Sequence, residues 1–431
     1  MADRGDRLDS WKEISAYLER TPRTCQKWEV LHGLPIHRFE ETPKARVYAF
    51  KAEVDDWLER ILRETEPREA PSAPAAPRPP LESLAPIPDM PAISRSAVAN
   101  KAYGAGRMAI ERFILTRHPA ELAVAVDLFE KVRDEDPGNP LAYLGLGDAY
   151  RWDYSFQGMK PDRLKMMAMS YGRACELAPD SAEANVGVGW SRYFPGDFDG
   201  ACESFVRADK IEPHDPVVDL EIGEFLLGLG HLDRAIRRFT RVLDDPKAGS
   251  RALWLRAIGC EWTGDYEAAL ADVRKAVSRE PASAYLRCMQ ARLMIHTGDL
   301  AEAEAELTVA AALSRGGGDV EFNKALLAAA RGDRKAAEDA LARPARAKVL
   351  RNYIETMAYA SLGDLDETLD LIETTIETGF SRMVSNAYPY LYLANPRNRF
   401  YDRLRQTPRF VEILARQKRR RQEESARLGA L

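Results

Sequence analysis

The sequence predicts a mostly α-helical chain: a C-terminal α-solenoid of paired helices, preceded by a small N-terminal helix-turn-helix unit with a β-hairpin wing. Three observations carry this prediction. First, a Gly-Asp or Gly-His step recurs at Gly196-Asp197, Gly230-His231, Gly264-Asp265, Gly298-Asp299 and Gly332-Asp333, 34 residues apart each time, and again at Gly363-Asp364, 31 residues on. A fixed period of this length marks a supersecondary unit stacked on itself. Second, residues 66–93 are dominated by proline and alanine and contain no aromatic residue. Third, the residues before that stretch hold three short helical patterns around two strand-like runs.

The N-terminal unit spans 1–65. Ser10 and Glu13 form a capping box at the start of a helix, and Trp11, Ile14 and Leu18 share one face of it. Thr21 caps a second helix with Pro22 at its first position, where a missing N–H costs nothing. Cys25, Trp28 and Leu31 face inward there, which leaves Arg23, Thr24, Gln26 and Lys27 outside. The short connection between the two helices has helix-turn-helix spacing. Two runs, 36–40 and 46–50, flank a polar turn as a hairpin. A third helix buries Val54, Trp57, Leu58 and Ile61.

Residues 66–93 cannot bury a core and are expected to extend as a semi-rigid polyproline spacer. The array is expected over 94–380. Unit 182–215 places Gly189 in its first helix, then Ala201, Phe205, Ala208 and Pro213; unit 216–249 repeats this with Gly223, Ala235, Phe239 and Pro246. Units 250–283 and 284–317 carry Ala257, Ala269, Val273, Ala276, Pro281 and Ala291, Ala303, Leu307, Ala310 at the same places. Small residues let two helices cross closely, and the closing proline ends the second helix because it cannot donate to the ladder. An earlier pair is expected at about 97–134. The next has Tyr143, Leu146, Gly147, Tyr150, Tyr171, Ala174 and Pro179, with an over-long loop around Ser155–Pro161. Unit 318–348 reads with a shortened second helix. Residues 381–431, rich in aromatics and arginine, are expected to cap the open end and to finish in a basic run, Arg419–Arg421.

These units resemble tetratricopeptide repeats, with a small residue in the first helix, Ala-x3-Phe in the second and a closing proline. The resemblance implies a helical array whose concave face binds a protein or peptide. Extrapolated onto this chain, Arg151, Trp152, Trp190, Tyr193, Trp254, Trp262 and Arg292 lie on that concave side, and arginine and aromatic residues are common interface anchors. The same residues are also suited to packing between repeats. The segment SWKEISAYLERTPRTCQKWEVLHGLPIHRF resembles the winged helix-turn-helix of the MerR and excisionase type. That resemblance implies binding of double-stranded DNA, with Arg23, Thr24, Gln26 and Lys27 facing the groove and Arg38, Lys44 and Arg46 serving the wing. From Arg20 to Lys51 seven Lys/Arg stand against three Glu, a local surplus of four positive charges. Such residues neutralise phosphates, and glutamine can pair with adenine. The chain departs from the family pattern at Glu19, where glycine is usual, and at Glu40 and Glu41 on the wing.

Composition bounds the remaining readings. With 431 residues, 45% hydrophobic and 30% charged, the chain is globular. Its net charge of −5 confines any nucleic-acid role to a local patch. Five dispersed cysteines, a charged first decade and no apolar run of transmembrane length suit a cytoplasmic protein off the membrane. No metal spacing, phosphate loop or nucleophile triad is legible, so no cofactor, no metal and no enzymatic activity are expected. Two functions stay open: a DNA-binding transcriptional regulator whose array receives a protein or peptide, and a scaffold that uses both modules for protein contacts.

Overall fold

The computed structural model describes residues 6–18, 25, 29, 34–38, 47–64, 92–156, 160–245, 249–314, 318–346, 353–377 and 390–428. The chain divides into two compact units, Met1–Arg78 and Pro79–Leu431.

In the first unit, β1 (Arg7–Leu8) leads into α1 (Trp11–Tyr17), followed by β2 (His37–Arg38), β3 (Val47–Phe50) and α2 (Lys51–Glu64). The three strands form one sheet in the order β1-β3-β2, with both pairings antiparallel. The sequence reading expects the β2–β3 pair and misses β1, which is too short to show an alternation. Ser10 caps α1 by accepting from the Glu13 amide at 3.2 Å. The Glu13 carboxylate reaches one residue further back than a capping box requires, to the Asp9 amide at 2.8 Å. Leu8, Ile14, Leu18, Cys25, Leu34, Val47, Ala49, Val54 and Trp57 make the core. The Tyr17 hydroxyl donates to Asp55 at 2.9 Å and so ties α1 to α2. Trp28, Leu31 and the side chains of Leu58 and Ile61 lie outside the described residues, as does the spacer from 66 to 91.

In the second unit, eight helix pairs follow one another: α3 (Ala97–Thr116) with α4 (Ala120–Glu135), α5 (Pro140–Phe156) with α6 (Pro161–Leu177), α7 (Ala182–Tyr193) with α8 (Phe198–Ile211), α9 (Pro216–Gly228) with α10 (Leu232–Arg241), α11 (Gly249–Thr263) with α12 (Tyr266–Arg279), α13 (Ala284–Thr297) with α14 (Leu300–Leu313), α15 (Gly318–Ala330) with α16 (Arg334–Arg346), and α17 (Tyr353–Leu362) with α18 (Leu365–Glu377). A closing segment holds α19 (Tyr390–Ala394), two short 3₁₀ turns and α20 (Pro408–Arg427).

The recurring Gly-Asp or Gly-His step is the joint inside six of the eight pairs. All six of its glycines, 196, 230, 264, 298, 332 and 363, have φ between 78° and 98°. That left-handed turn closes the first helix, and the next residue's amide bonds back five positions, as in Asp197 to Arg192 at 3.0 Å and Asp265 to Cys260 at 2.8 Å. The same aspartate then caps the second helix: Asp197 accepts from Gly200 at 3.0 Å and Asp265 from Ala268 at 3.2 Å. Second helices end ahead of Pro137, Pro179, Pro213 and Pro281.

Between the helices, one aromatic ring wedges against glycines. The Tyr171 ring lies where a Cβ on Gly147 or on Gly187 would overlap it, and its hydroxyl donates to Asp148 at 2.8 Å. Ala201, Ala269 and Ala303 are fully buried. Three expectations are corrected here. Helix α5 continues through Phe156, so the extra residues near Ser155–Pro161 lengthen the helix rather than the loop. Helix α16 has 13 residues and is not shortened. The array begins at Ala92–Ile93, inside the expected spacer, because the Ile93 amide donates to Asn100 at 2.8 Å and its carbonyl accepts from Asn139 at 2.8 Å.

Residues 390–428 do more than cap the last pair. Thr356 and Tyr401 share a 2.8 Å hydrogen bond, and Arg409 and Arg416 pair with Glu373 on α18. The segment also returns along the row of Gly-Asp turns. Asn395 donates to the Trp262 carbonyl at 3.3 Å, Arg397 pairs with Glu267 at 3.3 Å, Arg420 lies over Phe198, and Arg234 donates to the Leu428 carbonyl at 3.1 Å. This return gives a test. Gly298→Ala meets nothing within 4 Å and should lose only the left-handed backbone term, about 1 kcal/mol. Gly264→Ala has the same backbone term, and its Cβ also meets the Asn395 amide at 2.8 Å. Thermal melts should show the larger loss for Gly264→Ala; equal losses would mean that residues 390–428 do not sit on this turn.

Candidate functional site

The interior of the array is where the sequence reading puts its partner groove. The structure brings those residues together but turns them onto one another. Arg151, Trp152, Trp190, Tyr193, Trp254, Trp262 and Arg292 are each no more than 6% exposed. None of them stands on an open face.

Their partners explain this. Glu221 on α9 is buried and accepts from Arg151 of α5 at 2.8 and 3.2 Å, from the Trp190 indole of α7 at 2.6 Å and from Arg251 of α11 at 2.6 Å. Four successive first helices therefore meet at one carboxylate. Arg251 also pairs with Glu224. One repeat further on, Arg292 holds the fully buried Glu261 through two bonds of 2.8 Å, and His296 stands 3.6 Å from the same carboxylate. Burial alone would raise both glutamates, but Arg151 and Arg251 at Glu221, and Arg292 at Glu261, outweigh it and hold both carboxyls far below their usual range. Desolvation offsets much of what such pairs contribute, yet breaking one strands a buried charge at roughly 3–5 kcal/mol. The aromatic residues are packed in the same way. Trp190 stacks on Phe194, Tyr193 meets Phe225 edge-on at 5.3 Å, Trp254 meets Tyr285 at 5.6 Å and Trp262 meets Tyr392 at 5.8 Å.

In the first unit, Arg38 lies on β2 and forms a two-point ion pair with Glu29, one of its contacts at 2.9 Å. Its charge is thus met within the unit. Arg23, Thr24, Gln26, Lys27, Lys44 and Arg46 lie outside the described residues. Among the described residues, no helix is long and apolar enough to cross a membrane.

No protein-family model matches the chain, and no curated protein does. Solved structures do. Human IFIT1, solved as a dimer with m7Gppp-AAAA, is 17% identical, with a TM-score of 0.51 over 85% of this chain and 78% of its own. A tetratricopeptide repeat protein from Parabacteroides merdae is 17% identical over 61% of this chain and 98% of its own, with a TM-score of 0.39. PilF of Pseudomonas aeruginosa is 17% identical over 54% and 99%, with a TM-score of 0.41. The second unit is a tetratricopeptide-type solenoid.

Sequence reasoning missed two features of this array: the Glu221 hub and the burial of His231 near Arg421 and Arg234. His231 replaces the aspartate of the Gly-Asp step and makes no side-chain cap bond. Burial, then the nearby Arg421 and Arg234, push its pKa down to about 4. The unfolded chain, with a histidine near 6.5, takes up that proton first as pH falls. Stability should therefore be full above about pH 6.5 and decline towards pH 4. The depressed Glu221 and Glu261 add their own loss only below about pH 4.5. Denaturant midpoints across this range should fall less steeply for His231→Gln in the upper window and alike in the lower; an unchanged upper slope would reject the assignment.

Proposed function

We propose that the protein is a non-enzymatic interaction scaffold whose tetratricopeptide array holds a protein or peptide partner. The observation that supports this most is continuity. One hydrophobic core runs unbroken from Ala109 to Leu428, so the repeats form a single rigid platform. The arginines and tryptophans of the interior are already engaged, so the partner's surface is sought on outward helices such as α6, where Met166 is 38% and Met169 61% exposed. All five cysteines are free, which supports a reducing, cytoplasmic setting. As a test, the full chain serves as bait. A Gly187→Leu variant overpacks the array against Tyr171 at roughly 1–3 kcal/mol without touching the first unit. Partner capture should fall with this variant. Equal capture by both forms, or no reproducible partner, would sink the reading.

A second reading concerns the first unit. We propose that it is a winged helix-turn-helix that binds duplex DNA, which would make the protein a transcriptional regulator. The support is the antiparallel β2–β3 pair beside α1 and α2, together with the surplus of four positive charges between Arg20 and Lys51. Because Glu29 already meets Arg38, binding should rest on Arg23, Thr24, Gln26, Lys27, Lys44 and Arg46. Arg23→Ala with Lys27→Ala in the full chain should weaken duplex binding and flatten its salt dependence by about one unit per lost phosphate contact. Anisotropy titrations in which this double variant matches the parent would remove the recognition role.

A further inference from the structure

The second helices of the array turn one face to solvent, and on most of them that face is polar. Helix α8, for example, shows Asp199, Glu203, Arg207 and Lys210. Helix α14 departs from this. Its outward positions, spaced one turn apart, are Ala301, Ala305, Val309 and Leu313, all exposed. Val309 is 41% and Leu313 40% exposed. The opposite side, with Ala303, Leu307 and Ala310, is buried in the array. A helix that is apolar all round is normally covered on all sides, yet this one is open along its outer face.

The charge on α14 has one sign. Residues 300–313 hold three glutamates and no lysine or arginine. Arg331 meets Glu304 at 2.8 Å, and Arg287 meets Glu306 at 2.8 Å. Glu302, beside the apolar face, is exposed and has no ion pair among the described residues.

Helix α6 is the counterpart. It is the other second helix with large apolar side chains standing outward, Met166 and Met169. Arg163 is held by Asp153 at 2.7 Å and Arg173 by Glu176 at 2.9 Å. Lys165 is exposed and has no ion pair among the described residues. The spacings on the two helices match. Met169 comes one turn after Lys165, and Ala305 comes one turn after Glu302. Two such helices laid parallel can set ammonium on carboxylate and methionine on alanine in a single register. Methionine is unbranched and adaptable, and alanine leaves room for it. Because both faces are exposed, they do not cover each other within one chain.

We propose that α6 of one copy docks on α14 of a second copy of this chain. The inference rests on the scaffold reading, which seeks the partner's surface on outward helices, and names the partner at α6 as the protein itself. The two faces differ, so the contact is heterologous. Each copy in a pair keeps one unused face, and association runs head to tail into a chain or a closed ring. One helix laid on another buries less than the roughly 1,200 Å² of a stable complex, so the association is weak and concentration-dependent.

The test is sedimentation velocity on the purified full chain, from dilute to concentrated solution. The parent should shift to larger species as concentration rises. Met169→Glu sets a carboxylate against the acidic face, and Ala305→Lys fills the seat of Met169 beside Lys165. Both positions are exposed, so neither change enters the core. Each variant alone should weaken self-association about tenfold or more. Mixed in equal amounts, the two should form a heterodimer and stop there, because one keeps an intact α14 and the other an intact α6. Ala271→Lys, on the exposed face of α12, should leave association unchanged. Should a variant fail to fold, the charge-reversed pair decides: Lys165→Glu and Glu302→Lys each weaken association, and mixing them restores it. A parent that stays monomeric, a single variant that associates like the parent, a loss with Ala271→Lys, or mixtures that stay apart would overturn the proposal. The scaffold reading fails separately, through the capture experiment with the Gly187→Leu bait.

Discussion

A left-handed glycine at the end of the first helix, in six of the eight pairs, is the constraint on which the array depends. No other residue type takes φ near +85° without strain. The turn reverses the chain within two residues and fixes the second helix antiparallel to the first. The residue after the glycine then serves both helices: its amide closes the first, and at Asp197, Asp265 and Asp333 its carboxylate caps the second. Small residues at the crossings let the pairs approach until a ring such as Tyr171 lies against two glycine backbones. A solenoid's twist is the sum of such steps, so the shape of the interior is set at the turns.

The charge network follows from that pitch. Arg151 and Glu221 are 70 residues apart and in contact, close to two periods of 34. Trp190 and Glu221, and Glu261 and Arg292, are 31 apart, close to one period. A wider superhelix would keep first helices two repeats apart out of reach and leave these arginines for a partner. In this one the inner faces close on themselves, and Arg117 near the first pair reaches Tyr285 on α13. Buried charge is tolerable only where opposite signs arrive together. That requirement explains why the conspicuous arginines and tryptophans pack against their own chain.

What the sequence makes legible is what one repeat decides by itself. The Gly-Asp period, the Ser10 cap, the alanine crossings and the closing prolines at 137, 179, 213 and 281 are all local, and the described helices begin and end where they indicate. The β2–β3 pair is legible for the same reason. The extension of α5 through Phe156 is not, because a helix of 17 residues and a helix followed by a loop share one amphipathic pattern until tertiary contacts choose. Phe156 lies against Phe113 and beneath Arg117, and those contacts come from elsewhere in the array. The partners of the residues expected on the concave face depend on the superhelical pitch, which no single repeat encodes. One signal was available: arginines and glutamates on first helices recur with opposite sign one and two periods apart.

The closing segment shows the same logic at larger scale. An open solenoid leaves its last pair half covered and its row of turns exposed. Residues 390–428 address both, packing Tyr401, Phe410 and Ile413 inward and sending α20 back over earlier turns. At the second of the six turns the usual aspartate is replaced by His231, and at that turn α20 brings Arg421 close. An aspartate there would attract that arginine, whereas a neutral buried histidine offers it no charge. The exception in the repeat thus coincides with the place where the chain's own C-terminal helix arrives. A departure from a periodic pattern is most informative when read against what packs on it, and here the packing element is supplied by the same chain.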